Sequence, residues 1–126
     1  MKTDLEGIQI ETQLEETVFG LIRLAGAQIM SAPQALSAQI ESACTSFSVD
    51  DERKTIVRNM LRHGKYKPTG RGKPACEYLL KAAQESRFPC INNLVDALNL
   101  VSLKTQLPIS VIDTDLAGTK EFVIRR

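Results

Sequence analysis

Two spacings of apolar residues divide this chain. Near the start, Ile8 and Ile10 alternate with polar neighbours, the two-residue period of a half-buried strand. Val18 to Ala25 is largely apolar and holds the β-formers Val18, Phe19 and Ile22. It predicts a strand, with a second short one at Ala27 to Met30 beyond Gly26. From Ser31 the period lengthens. Ser31 reads as a helix cap with Pro33 in the first turn, and Leu36, Ile40, Ala43, Cys44 and Phe47 form one helical stripe. Ser48 and Asp51 are spaced like a capping box for a second helix that buries Ile56, Val57, Met60 and Leu61 and stops near Gly64. A third helix is expected from about Pro74 to Ser86, burying Tyr78, Leu79 and Ala82. Pro89 separates it from a fourth, whose apolar side is Ile91, Leu94, Val95, Leu98 and Val101. Ile109 to Asp113 and Glu121 to Ile124 read as strands paired in a hairpin around a turn at Leu116-Ala117-Gly118. The layout is α+β, with helices packed on a small mixed sheet.

Composition narrows the class. At 126 residues the chain is one domain or part of one, and its 43% apolar content is that of a folded protein. Aromatic residues are only 5% and Trp is absent, which argues against a base-stacking platform rich in aromatics. Cys44, Cys76 and Cys90 are far apart and odd in number. No pair has the spacing of a zinc clamp or a redox motif, so three reduced thiols are expected, two or more of them buried, in a cytoplasmic protein. No signal peptide and no run of roughly 18 apolar residues is seen, so no membrane role is expected. No cofactor or metal is expected either. The single His has no Cys near it, and Thr69-Gly70-Arg71-Gly72-Lys73 lacks P-loop spacing.

The net charge of +1 hides an asymmetry. Acids crowd the first twenty residues. Arg53, Lys54, Arg58, Arg62, His63, Lys65, Lys67, Arg71 and Lys73 occur with no acid between Glu52 and Glu77. Lys54, Arg58 and Arg62 recur every four residues on one helix face, and the others lie in a Gly/Pro loop whose backbone can approach a phosphate closely. The competing reading is a solvated face and a mobile loop. A second constellation lies on the fourth helix, where Asn92, Asp96 and Asn99 fall at i, i+4 and i+7 with Asn93 and Ser102 beside them. Asn92 or Asn93 can cap the helix start. Asn99 either anchors backbone across a buried seam or offers its amide to a ligand. Asp96, Asp113 and Asp115 are candidates for acid–base work at no defined separation.

The run from Phe88 through Ile91-Asn92-Asn93, Val95-Asp96 and Asn99 to Pro108 and Asp113 resembles the signature of the B3/B4 domain. That module occurs in the phenylalanyl-tRNA synthetase beta subunit and in stand-alone bacterial proteins. Leu100-Val-Ser-Leu-Lys104, and the Lys-Pro and Gly-Lys-Pro run before Glu77, look more like the stand-alone proteins. The resemblance covers roughly residues 53–126 and points to the first half of a three-layer domain, with residues 1–126 a single partial domain. It implies an RNA-associated module, with tRNA or aminoacyl-tRNA as partner and Arg58, Arg62, Lys65, Lys67, Arg71 and Lys73 on phosphates. In the synthetase the module removes tyrosine wrongly joined to the tRNA, using a Thr-Asn pair and a His. By position the Asn is Asn99, the Thr position is Leu98 and the His position is Ser110. Other pocket residues of the family, a Glu among them, lie in its second half, beyond Arg126.

Three functions follow as expectations. The first is tRNA binding. The second is trans-editing of misacylated tRNA once the module is completed, with Asn99 and Ser110 positioning ester and water. The third is a non-catalytic pocket for an amino acid or peptide end, with Asn92, Asp96 and Asn99 reading its amino and carboxylate groups. The substrate-binding candidates taken together are Asn92, Asn93, Asp96, Asn99, Ser102 and Ser110. Half a module would also expose apolar surface. Ile109, Val111, Ile112, Phe122, Val123 and Ile124 look suited to burial on both sides, which predicts a homodimer through the C-terminal hairpin.

Overall fold

Glu6 and Gly7 both adopt positive φ, at 51° and 86°, and fold the first residues back as a two-residue hairpin. The Asp4 side chain accepts from the Gly7 amide at 2.8 Å and fixes the turn. Strands β1 (Lys2–Leu5) and β2 (Ile8–Thr12) therefore pair antiparallel, with Leu5 opposite Ile8. Strand β3 (Glu121–Ile124) returns along the other side of β2 in parallel, with Phe122 opposite Ile10 and Ile124 opposite Thr12. The mixed sheet has the order β1-β2-β3. Alternate residues of each strand are half-buried, as a sheet with one covered face requires.

The computed structural model describes residues 1–126 and divides into two compact units. One comprises Met1–Ala27 with Ile112–Arg126 and holds the sheet. The other comprises Gln28–Val111 and is helical. The α+β class is thus as the hydrophobic pattern indicates. The hydrophobic core is made by helices alone: Ala43, Leu80, Ala83, Leu100 and Leu103, flanked by Leu36, Ile40, Cys44, Phe47 and Phe88.

That core draws on α1 (Gln34–Ser46), α3 (Ala75–Gln84) and α4 (Asn93–Thr105), with α4 packed against both of the others. The stripe read along α1 is the packed one. Pro33, not Ser31, occupies the cap position of α1, and it makes no side-chain cap bond. Helix α2 (Asp51–Leu61) is capped by Asp50, which accepts from the Arg53 amide at 2.9 Å, rather than by a Ser48 and Asp51 box. Val57 is its one fully buried residue, and Ile56 is exposed. Helix α4 ends on Gln106 in the left-handed region at φ 56°. The side chain of Gln106 then bridges two backbone groups before α2, accepting from the Asp50 amide at 2.9 Å and donating to the Ser48 carbonyl at 2.6 Å. These bonds offset the strain of a non-glycine residue at positive φ.

Several elements differ from the pattern. Val18 to Ala25 and Ala27 to Met30 form no strand, and Val18 and Ile22 are 98% and 87% exposed. A strand needs a hydrogen-bonded neighbour, and neither segment pairs with any of the three strands of the sheet. Ile109 to Asp113 is irregular. It leads instead into the short helix α5 (Thr114–Ala117), capped by the Asp113 carboxylate and closed by Gly118 at φ 66°. The C-terminal hairpin therefore does not form, and β3 pairs with β2 in parallel. Val111, Ile112 and Val123 are each about half exposed rather than buried on two sides. Cys76 is buried, Cys44 half-buried and Cys90 exposed, so one thiol is fully enclosed, not two or more.

Candidate nucleic-acid interface and adjoining cleft

The basic segment after α2 is held as a shaped loop. His63 and Tyr66 form an isolated antiparallel bridge, and a 3-10 turn spans Gly70–Gly72. Pro68 is fully buried. Both tyrosines of the chain serve this loop. The Tyr66 hydroxyl donates to the Gly72 carbonyl at 2.6 Å, and the Tyr78 hydroxyl, from α3, donates to the Arg71 carbonyl at 3.0 Å. Gly72 sits so close that a Cβ would lie 3.2 Å from the Lys67 carbonyl oxygen and 3.3 Å from the Tyr66 ring. Only a residue without a side chain fits there undistorted.

The cations of the run divide into two groups. The Arg58 guanidinium is engaged, donating two hydrogen bonds to the Glu77 carboxylate at 2.6 and 2.7 Å across α2 and α3. The pair holds the Glu77 carboxyl below the usual carboxylate range, chiefly through the Arg58 hydrogen bonds and against the effect of burial. Arg53 pairs with Asp50 and donates to the Thr105 carbonyl at 2.7 Å. The Lys73 ammonium lies 5.3 Å from the centre of the Tyr78 ring, within cation–π range. Arg62, Lys65, Lys67 and Arg71 are exposed and take part in none of the ion pairs. Of the six residues expected on phosphates, these four present free charge, Lys73 presents part of its charge, and Arg58 is a structural strut.

The polar stripe of α4 turns inward. Asp96 is fully buried, and its Oδ1 accepts from the Ile91 amide at 2.8 Å while Oδ2 has no partner. Asn92 is the helix cap, accepting from the Val95 amide at 2.9 Å. Asn93 ties down the segment before α1: it donates to the Gln28 carbonyl at 2.9 Å and accepts from the Met30 amide at 3.2 Å. Ser102 is buried and donates to the Leu107 carbonyl at 2.7 Å. Ile91 and Val101, expected on the apolar side, are exposed at 62% and 48%. Helix α4 has neighbours on two sides, so its apolar residues do not sort to one stripe.

Asn99 differs from Asn92 and Asn93 because no backbone group engages its side chain. It lines an open cleft of about 410 Å³ with Tyr78, Leu79, Ala82, Pro89, Ser102 and Ile109, and Arg87 stands among the lining residues. The lining is mostly apolar and contains no carboxylate and no imidazole. Ser110 is exposed and is not part of the lining, so the cleft does not bring Asn99 and Ser110 to one pocket. Tyr78 belongs to both features, lining the cleft and bracing the basic loop. Its phase on α3 follows from this. The buried residues are Cys76, Leu80 and Ala83 rather than the expected Tyr78, Leu79 and Ala82, and Tyr78, on the other side of the helix, is 46% exposed.

No three His, Cys, Asp or Glu side chains converge as a metal site, and no helix is long and apolar enough to cross a membrane. No family model matches the chain, and no curated protein or solved structure matches it either.

Proposed function

We propose that this chain is an RNA-associated module of the B3/B4 type that binds the phosphate backbone, of tRNA in the first instance, through the loop between α2 and α3. The observation that carries the reading is the bracing of that loop by both tyrosines while Arg62, Lys65, Lys67 and Arg71 remain unpaired. A solvated loop needs no such scaffold. Fixed cations lose less conformational freedom when they meet phosphate, so a braced loop favours binding. The signature on α4 adds the choice of tRNA by resemblance alone.

Titration of tRNA against salt tests the reading. Four phosphate contacts correspond to a log–log slope of about −3, and Lys65→Ala with Lys67→Ala should make it shallower by about 1 to 2. A flat salt response, or no binding at low ionic strength, overturns the proposal.

A second reading rests on the cleft. The free amide of Asn99 stands among apolar residues in a lining that also includes Arg87, whose guanidinium pairs with Glu85. This suits a small ligand that carries an ester and an apolar side chain. Hydrolysis of such an ester needs a base to activate water, and the lining supplies none. The cleft alone therefore supports capture, and trans-editing would require a base brought by other residues or a partner.

A further inference from the structure

The basic loop carries two rings as well as four cations. His63 and Tyr66 lie with ring centroids 5.6 Å apart and planes tilted by 40°. Both residues are exposed, Tyr66 at 40%. The Tyr66 ring is fixed at its far end by the hydroxyl bond to Gly72 and packs close to that glycine, while the His63 Nδ1 lies 3.3 Å from the Leu61 carbonyl oxygen. Arg62 and Lys67 flank the pair in sequence, and Lys65 lies between its two members. An aromatic surface held in place among unpaired cations is what a nucleic-acid strand with unstacked bases requires. Cations follow the backbone, and rings take the face of a base. Duplex RNA hides its base faces and offers only phosphates, hydroxyls and groove edges.

We infer that the His63–Tyr66 pair is a base-stacking position, and that the loop recognises single-stranded RNA in preference to duplex. This rests on the phosphate-binding reading and adds the kind of RNA. The low aromatic fraction of the chain is no obstacle, because one fixed ring pair stacks one base and does not form an extended platform.

The test compares a short unstructured polyuridine RNA with a blunt RNA duplex of the same length, both dye-labelled, by anisotropy at low salt. The single strand should bind about tenfold more tightly, the scale of one stacked base. His63→Ala should abolish that preference while leaving duplex affinity and the salt slope unchanged, and His63→Phe should restore it. The chain has two Tyr and no Trp. Its intrinsic emission therefore reports on tyrosine, and single-stranded RNA should quench it more than duplex does. Equal affinity for both RNAs with no effect of His63→Ala overturns the stacking position and leaves the phosphate reading standing. Failure to bind either RNA overturns both.

Discussion

Glu77 shows how one side chain separates structural charge from free charge in the basic run. It takes the Arg58 guanidinium in a two-bond pair, with side-chain exposures of only 10% for the acid and 28% for the base. Its carboxyl is held below the ordinary value by those hydrogen bonds, with Lys54 and Lys73 adding to the effect. A carboxylate with a lower pKa folded than unfolded stabilises the fold above the unfolded value of about 4.3, and that contribution is lost as pH falls through the folded value. Glu77→Gln should therefore lower the urea midpoint at neutral pH, and the gap from the parent chain should close in acid. Chemical denaturation across pH 2 to 7, monitored by circular dichroism, checks this. A gap that persists unchanged in acid would assign the stability to something other than the ionised pair. The run of like charges was legible in the sequence. The acid that neutralises one member lies nineteen residues away in α3, and only packing reveals the match.

At the scale of elements, α4 is the instructive case. Its spacing suggested an apolar stripe at Ile91, Leu94, Val95, Leu98 and Val101 with polar residues opposite, but the opposite side is where Asp96 and Ser102 are buried. Each is buried because it bonds a nearby backbone group at a helix end, Ile91 for Asp96 and Leu107 for Ser102. The consequence for Asp96 is testable. Asp96→Ala removes the fully buried acceptor of the part-buried Ile91 amide, at a cost of about 1–3 kcal/mol. Asp96→Asn keeps an acceptor for that amide and removes a buried carboxylate oxygen that has no partner, so it should cost much less. Equal losses for the two variants, measured by denaturant unfolding, would show that charge and not the acceptor role holds the site. A cap at Asn92 or Asn93 and the α1 stripe were legible because local rules govern them, and packing chose Asn92. Strand pairing was not. Glu6-Gly7 is a turn that yields β1, and the β-forming residues of Val18 to Ala25 stay unpaired, because partner choice is a property of the whole sheet.

For the whole molecule, the distribution of the core decides what should survive division of the chain. All ten residues of the hydrophobic cluster and its flank lie between Leu36 and Leu103, inside the helical unit Gln28–Val111. The bonds that close this unit are also internal. Gln106 clamps Ser48 and Asp50, Arg58 pairs with Glu77, and Asn93 holds Gln28 and Met30. The braced basic loop and the Asn99 cleft belong to it as well. A unit with its own core and its own closing bonds meets the requirement for folding alone. Residues 28–111 expressed by themselves should therefore give a helical circular dichroism spectrum with a cooperative thermal melt, and should keep the salt-dependent RNA binding of the full chain. Retained helix without RNA binding would move the interface to the sheet-bearing unit. A fragment without a cooperative melt would mean that the helical core is insufficient by itself and that residues 1–27 or 112–126 supply what it lacks.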